Sequence, residues 1–151
     1  MDKYTLVPKC FFNGDAQLLS QVVEVSDSEV IKYLELPFYE AVLLFVPGPE
    51  GQYPHIYDLL KSINRIPGFN KVLFTIENSY LHLVLAAGDK LLLANSFEAN
   101  DFTTALYYVF ASMKDFQINP QLTTAYFKGE LAYEQQEVLF SYFKAVESLC
   151  E

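Results

Sequence analysis

The sequence predicts an α/β fold: a mixed sheet built from a three-stranded antiparallel meander plus one parallel strand, with helices packed on it. Three observations carry this. Residues 71–97 hold three apolar runs rich in strand-forming side chains, separated by two short turns; a helical stripe follows from about residue 101; and a further apolar run, Thr123–Phe127, precedes a last helix. Meander strands need only tight turns between them, whereas a strand reached through a helix joins its sheet in parallel by a right-handed crossover.

The first part of the chain reads as a mixed α/β segment. Val7-Pro8 and Asn13-Gly14-Asp15 act as punctuation, and Asp15 is placed to cap a short helix carrying Leu18, Leu19, Val22 and Val23 at helical spacing. A strand pair follows. Over Glu29–Leu36, Val30, Lys32, Leu34 and Leu36 alternate with Ile31, Tyr33 and Glu35, while Ala41–Val46 is a continuous apolar run suited to a strand buried on both faces. Pro47-Gly48-Pro49-Glu50-Gly51 denies both helix and ladder. A helix over about Tyr53–Asn64 comes next, with Ile56, Leu59, Leu60 and Ile63 on one stripe, and Ile66-Pro67-Gly68 ends it.

The second part gives strands over Lys71–Glu77, Tyr80–Ala87 and Lys90–Phe97, joined at Asn78-Ser79 and Gly88-Asp89. Asn100 or Asp101 can cap the next helix, whose Phe102, Leu106, Val109, Phe110 and Met113 form a stripe ended by Asn119-Pro120. Thr123–Phe127 is then a strand, broken by Gly129. The last helix runs from about Tyr133, with Glu134 and Glu137 near its positive end. This order is the ribonuclease-H-like plan, which is also the repeating half of actin-like ATPases. The expectation is one domain over 1–151, with possible subdomains at 1–69 and 70–151.

Composition narrows the function. Ten basic against nineteen acidic residues give a net charge of −9, and Arg65 is the single arginine, so no basic stripe exists to displace counterions from a phosphate backbone. Nucleic acid is excluded as a partner. The apolar stretch Ala41–Pro49 is too short to cross a bilayer and no basic leader precedes an apolar run, which predicts a cytoplasmic protein with no membrane partner. Cys10 and Cys150 lack metal-ligand spacing and read as free thiols. Aromatic residues reach 16%, all Phe and Tyr, which implies a thick core or a partner surface.

Three stretches carry a resemblance to a known family: Val7-Pro8 followed by Phe11-Phe12; Leu93-Ala94-Asn95-Ser96-Phe97 leading to Leu106-Tyr107-Tyr108; and Lys128-Gly129-Glu130-Leu131. In this order and spacing they resemble domain of unknown function family 3822, uncharacterised proteins found mainly in Bacteroidetes and structurally similar to actin-like ATPases. The resemblance implies a further N-terminal domain of the same fold, so that this chain looks like the C-terminal part. Asp2 is an abrupt start that fits this expectation. A fainter similarity to actin-like proteins of pilus assembly and cell division implies scaffolding.

The resemblance also locates the chemistry to look for. Actin-like ATPases hold phosphate with an Asp-x-Gly turn, whose glycine lets backbone N–H groups approach. The matching turn here is Ile76-Glu77-Asn78-Ser79-Tyr80, where Glu77 keeps a carboxylate but no glycine follows. Glu77, Asn78 and Ser79, with Gly129 where such folds approach adenosine, are therefore read as vestigial nucleotide loops. As plain structure they are a hairpin turn and a strand terminator. The first meander strand carries no interior carboxylate, so a two-metal nuclease is excluded. His82 reads as a strand-surface residue and His55 as a helix start. No catalytic residue, metal or cofactor is expected.

Two functions follow. The first is a non-catalytic protein-interaction scaffold, its partner another protein domain or a second copy, with Tyr53, Tyr57, Tyr142 and Phe143 as the interface residues. The alternative is an ATP-binding or slowly hydrolysing enzyme that needs an upstream domain.

Overall fold

The computed structural model describes residues 2–36 and 38–149; Cys150 lies outside them. The chain divides into two compact units, Met1–Lys61 and Ser62–Glu151.

In the first unit, β1 (Tyr4–Pro8), β2 (Lys32–Glu35) and β3 (Ala41–Phe45) form an antiparallel sheet in the order β1-β3-β2. All five residues of the central strand β3 are buried, as its unbroken apolar run requires. Val7-Pro8 was expected to interrupt structure and instead closes β1. Proline is tolerated there because β1 is an edge strand. Asp15 does cap, its Oδ1 accepting the Gln17 N–H at 3.0 Å, but it starts a 3₁₀ helix that stops at Gln21, short of Val22 and Val23. Leu19 from that helix packs with Val42 and Leu44 of β3 in a small core. The helix α1 (His55–Ser62) begins just after Pro54, so Tyr53 precedes it.

The second unit holds the mixed sheet. Its strands are β4 (Asn70–Glu77), β5 (Tyr80–Ala87), β6 (Lys90–Glu98), β7 (Thr124–Phe127) and β8 (Ala145–Ser148), in the order β6-β5-β4-β7-β8. The β4-β5-β6 meander is antiparallel, and β7 pairs parallel with β4 from Val72↔Ala125 to Phe74↔Phe127. The expected α/β plan is thus realised. Val72, Phe74, Leu81, Leu83 and Leu85 share a core with Leu106, Val109 and Met113 of α2 (Phe102–Asp115) and Leu139 of α3 (Tyr133–Tyr142).

Two features of this unit depart from the sequence reading. After the last helix, where no strand was expected, Phe143 turns to extended backbone (φ −96°, ψ 154°) and the chain adds β8 in parallel beside β7. Val146, buried in the core, is the side chain that draws this segment into the sheet. His82 is not at a surface. It is 3% exposed, and its Nδ1 lies 2.6 Å from Ser96 Oγ on the neighbouring strand.

No helix of the described residues is long and apolar enough to cross a membrane.

Candidate functional site

The C-terminal ends of the parallel strands β4 and β7 lie side by side, the edge at which open α/β sheets place their ligands. Beyond the end of β4 the chain turns through Asn78 (φ 51°) and Ser79 (φ 65°), both in the left-handed region. That pair of angles is the tight hairpin turn matching strand twist. The Ser79 carbonyl accepts the Ala99 N–H at 2.8 Å, which draws the end of β6 against the turn.

Beyond β7, Lys128 continues the pairing, its N–H donating to the Phe74 carbonyl at 3.0 Å. The Thr75 hydroxyl donates to the Lys128 carbonyl at 3.0 Å. Gly129 then turns at φ +86°, and a Cβ there would meet only Thr75 Oγ1, at 3.5 Å. The glycine is needed for its backbone angle. No close approach demands it.

Between these turns lies a cleft of about 350 Å³ lined by Ser79, Asn100, Asp101, Glu130, Leu131 and Gln135 above an apolar floor including Ile76 and Phe102. The two helix starts build its walls. Asp101 caps α2 by accepting the Thr104 N–H at 2.7 Å, and that bond holds its carboxyl below the ordinary carboxylate range. Gln135 reaches back to accept the Ala132 N–H at 2.9 Å at the start of α3. Among the described residues, the charged ones lining the cleft are Asp101 and Glu130, and no lysine or arginine joins them.

Of the residues read as vestigial nucleotide loops, Ser79 lines this cleft, and Gly129 adjoins it through Glu130. Glu77 and Asn78 are exposed and outside its lining. Sequence reasoning treated Asp101 as a cap alone and passed over Glu130, although its position beside Gly129 was a signal. The four aromatic residues read as an interface fall in different settings. Tyr53 is exposed, its ring 5.3 Å from Phe45 and 4.7 Å from the half-buried Tyr57, over which Lys61 Nζ sits at 5.1 Å. Tyr142 is exposed, with the Phe110 ring 5.2 Å away. Phe143 is only 4% exposed and belongs to the core, stacked at 5.5 Å on Phe110.

A family model described as "Protein of unknown function (DUF3822)" matches residues 1–146. The chain belongs to this family. A DUF3822 chain with this architecture is similar to a crystal structure at 1.85 Å from Bacteroides thetaiotaomicron VPI-5482, described as a protein with actin-like ATPase fold and unknown function. The TM-score is 0.79 at 20% identity, over 99% of this chain and 65% of that one. The likeness establishes the actin-like fold of this DUF3822 chain, which spans about 65% of the length of the solved relative. No curated protein is significantly similar to it.

Proposed function

We propose that this DUF3822 chain is a cytoplasmic, non-catalytic actin-like module that acts by binding protein. The observation that carries the reading is the lining of the cleft: two carboxylates, Asp101 and Glu130, and no cationic side chain. A polyphosphate entering it would meet like charge at close range. The hairpin beside it adds to this, because Asn78 and Ser79 stand where a phosphate-binding turn needs glycine. Exposed aromatic side chains such as Tyr107 and Tyr133 favour contact with another protein. The exposed free thiol of Cys10 suits a reducing compartment.

A second reading keeps nucleotide binding. The cleft lies at the C-terminal ends of parallel strands beside a left-handed glycine, and the chain spans about 65% of its solved relative, so a further domain would have to supply the phosphate contacts.

The test is thermal unfolding with and without ATP and Mg²⁺. A ligand at a hundredfold excess over its dissociation constant stabilises by about 2.7 kcal/mol. The non-catalytic reading expects no shift, and a clear rise in melting temperature would overturn it.

A further inference from the structure

An asparagine side chain can react with its own backbone, because the nitrogen of the next residue lies within reach of its carbonyl carbon. In this chain a glycine or serine follows asparagine at Asn13-Gly14, Asn78-Ser79 and Asn95-Ser96. Their settings differ. Asn95 lies in β6, and the nitrogen that would attack is occupied: the Ser96 N–H donates to Asn95 Oδ1 at 2.9 Å. Asn78 and Ser79 are held at φ 51° and 65° in the turn that Glu77 and Tyr80 close by pairing, so a rotation there works against the strands on both sides.

Asn13 is exposed and lies outside helix and strand, just ahead of the 3₁₀ helix Ala16–Gln21. Gly14 has no side chain to shield its nitrogen; it sits at φ +91°, and a Cβ built there would meet nothing within 4 Å. Among the described residues the Gly14 N–H makes no backbone hydrogen bond. The carbonyl is activated as well. The Asp15 N–H donates to Asn13 Oδ1 at 3.0 Å, so a donor already faces the oxygen that takes up negative charge when the carbon is attacked, as in an oxyanion hole.

We propose that Asn13 is a site of spontaneous deamidation, converting to aspartate and isoaspartate. The Gly14 nitrogen, having lost its proton to hydroxide, bonds to Asn13 Cγ; the Cγ–Nδ2 bond breaks, and Nδ2 takes up a proton from water and leaves as ammonia. The product is a five-membered succinimide. One water molecule then opens it. Cleavage at Cγ restores the ordinary backbone with an aspartate side chain, whereas cleavage at the main-chain carbonyl carbon leaves isoaspartate, whose backbone runs through the former side chain. Nothing is oxidised or reduced. Both products carry a negative charge that Asn13 lacks, two residues from Asp15. Isoaspartate also draws Cγ into the main chain and so removes the side-chain acceptor that holds the Asp15 N–H. Asp15 in turn accepts the Gln17 N–H at 3.0 Å and starts the 3₁₀ helix that brings Leu19 to Val42 and Leu44. The change therefore reaches the packing of the first unit.

The test is to hold the full chain at neutral and at mildly alkaline pH, sample it over days and map its peptides by mass spectrometry. Isoaspartate is counted by enzymatic methylation of its free α-carboxyl. In the folded protein Asn13 should convert at least about tenfold faster than Asn78 or Asn95, a barrier lower by about 1.4 kcal/mol. Its rate should rise roughly tenfold per pH unit, as the deprotonated fraction of a weak acid does well below its pKa. The same chain unfolded in urea loses the Asp15 donor, so Asn13 should react there no faster than in the fold. Asn13→Gln, which would need a larger ring, should leave this peptide unchanged over the same days. Amide exchange at Gln17 should quicken in the isoaspartate fraction. An Asn13 that stays intact, conversion spread evenly over the three asparagines, or a faster reaction at Asn13 in urea would each overturn the proposal. None of these outcomes depends on whether the chain binds ATP or protein, so this inference and the functional reading fail separately.

Discussion

The Thr75 hydroxyl donates to the Lys128 carbonyl at 3.0 Å, fastening the central strand β4 to the end of β7 one residue before the chain turns at Gly129. Thr75 is buried, so the bond is made away from water. Thr75→Val keeps the shape and removes the donor. The expected cost is about 1 kcal/mol, the net worth of a buried hydrogen bond or slightly more. Urea unfolding against the parent protein checks it; a Thr75→Val protein as stable as the parent would show that the bond contributes nothing.

Ser79 holds φ 65° in the turn between β4 and β5, an angle that costs a residue with a Cβ but not glycine. Asn-Gly is the favoured pair for this turn. Ser79→Gly should therefore stabilise the chain by about 0.5–1 kcal/mol, the strain relieved less the extra chain entropy of glycine. The same variant recreates the glycine of a phosphate-binding turn. It should still gain no ATP-induced shift, since Asp101 and Glu130 continue to line the cleft.

Asp101 has its carboxyl held below the ordinary range chiefly by the Thr104 backbone N–H. A folded-state pKa lowered in this way contributes stability above the unfolded value, and that contribution is lost as pH falls through the folded one. Stability should decline on acidification below the ordinary carboxylate range. Asp101→Asn can still accept the Thr104 N–H but does not titrate, so the difference between the two proteins should shrink as pH falls. A constant difference from neutral pH down to acid would rule out this linkage.

The meander was legible because each strand is bounded by a two-residue turn and carries its own apolar pattern, and Asp101 was legible as a cap from its type and place. β1 and β8 were not. Pro8 marks a break anywhere except on an edge strand, and edge position belongs to the sheet, not to local sequence. The segment after Tyr142 continues a helical composition, and only the place of Val146 in the core beside β7 makes it a strand. At the candidate site, the turn and Gly129 could be placed from sequence. The meeting of Ser79 with Asp101 and Glu130 in one cleft depends on the parallel pairing of β4 with β7.

Tyr142 and Phe143 are neighbours with opposite fates, and the end of α3 explains it. The Phe143 N–H donates to the Leu139 carbonyl at 2.9 Å, the last helical bond, while its own backbone is already extended. That change of direction turns the Phe143 ring inward onto Phe110 and leaves Tyr142 at the surface, 53% exposed. Removing a buried phenyl ring costs its transfer free energy and leaves a cavity, so Phe143→Ala should destabilise by about 3 kcal/mol or more. Tyr142→Ser keeps the helix end and gives up a half-exposed ring, and it should cost less than about 1 kcal/mol. Chemical unfolding of both variants separates a core position from a surface one. Equal losses would mean that Tyr142 also closes the core at this end, and it would then not be available as a contact surface.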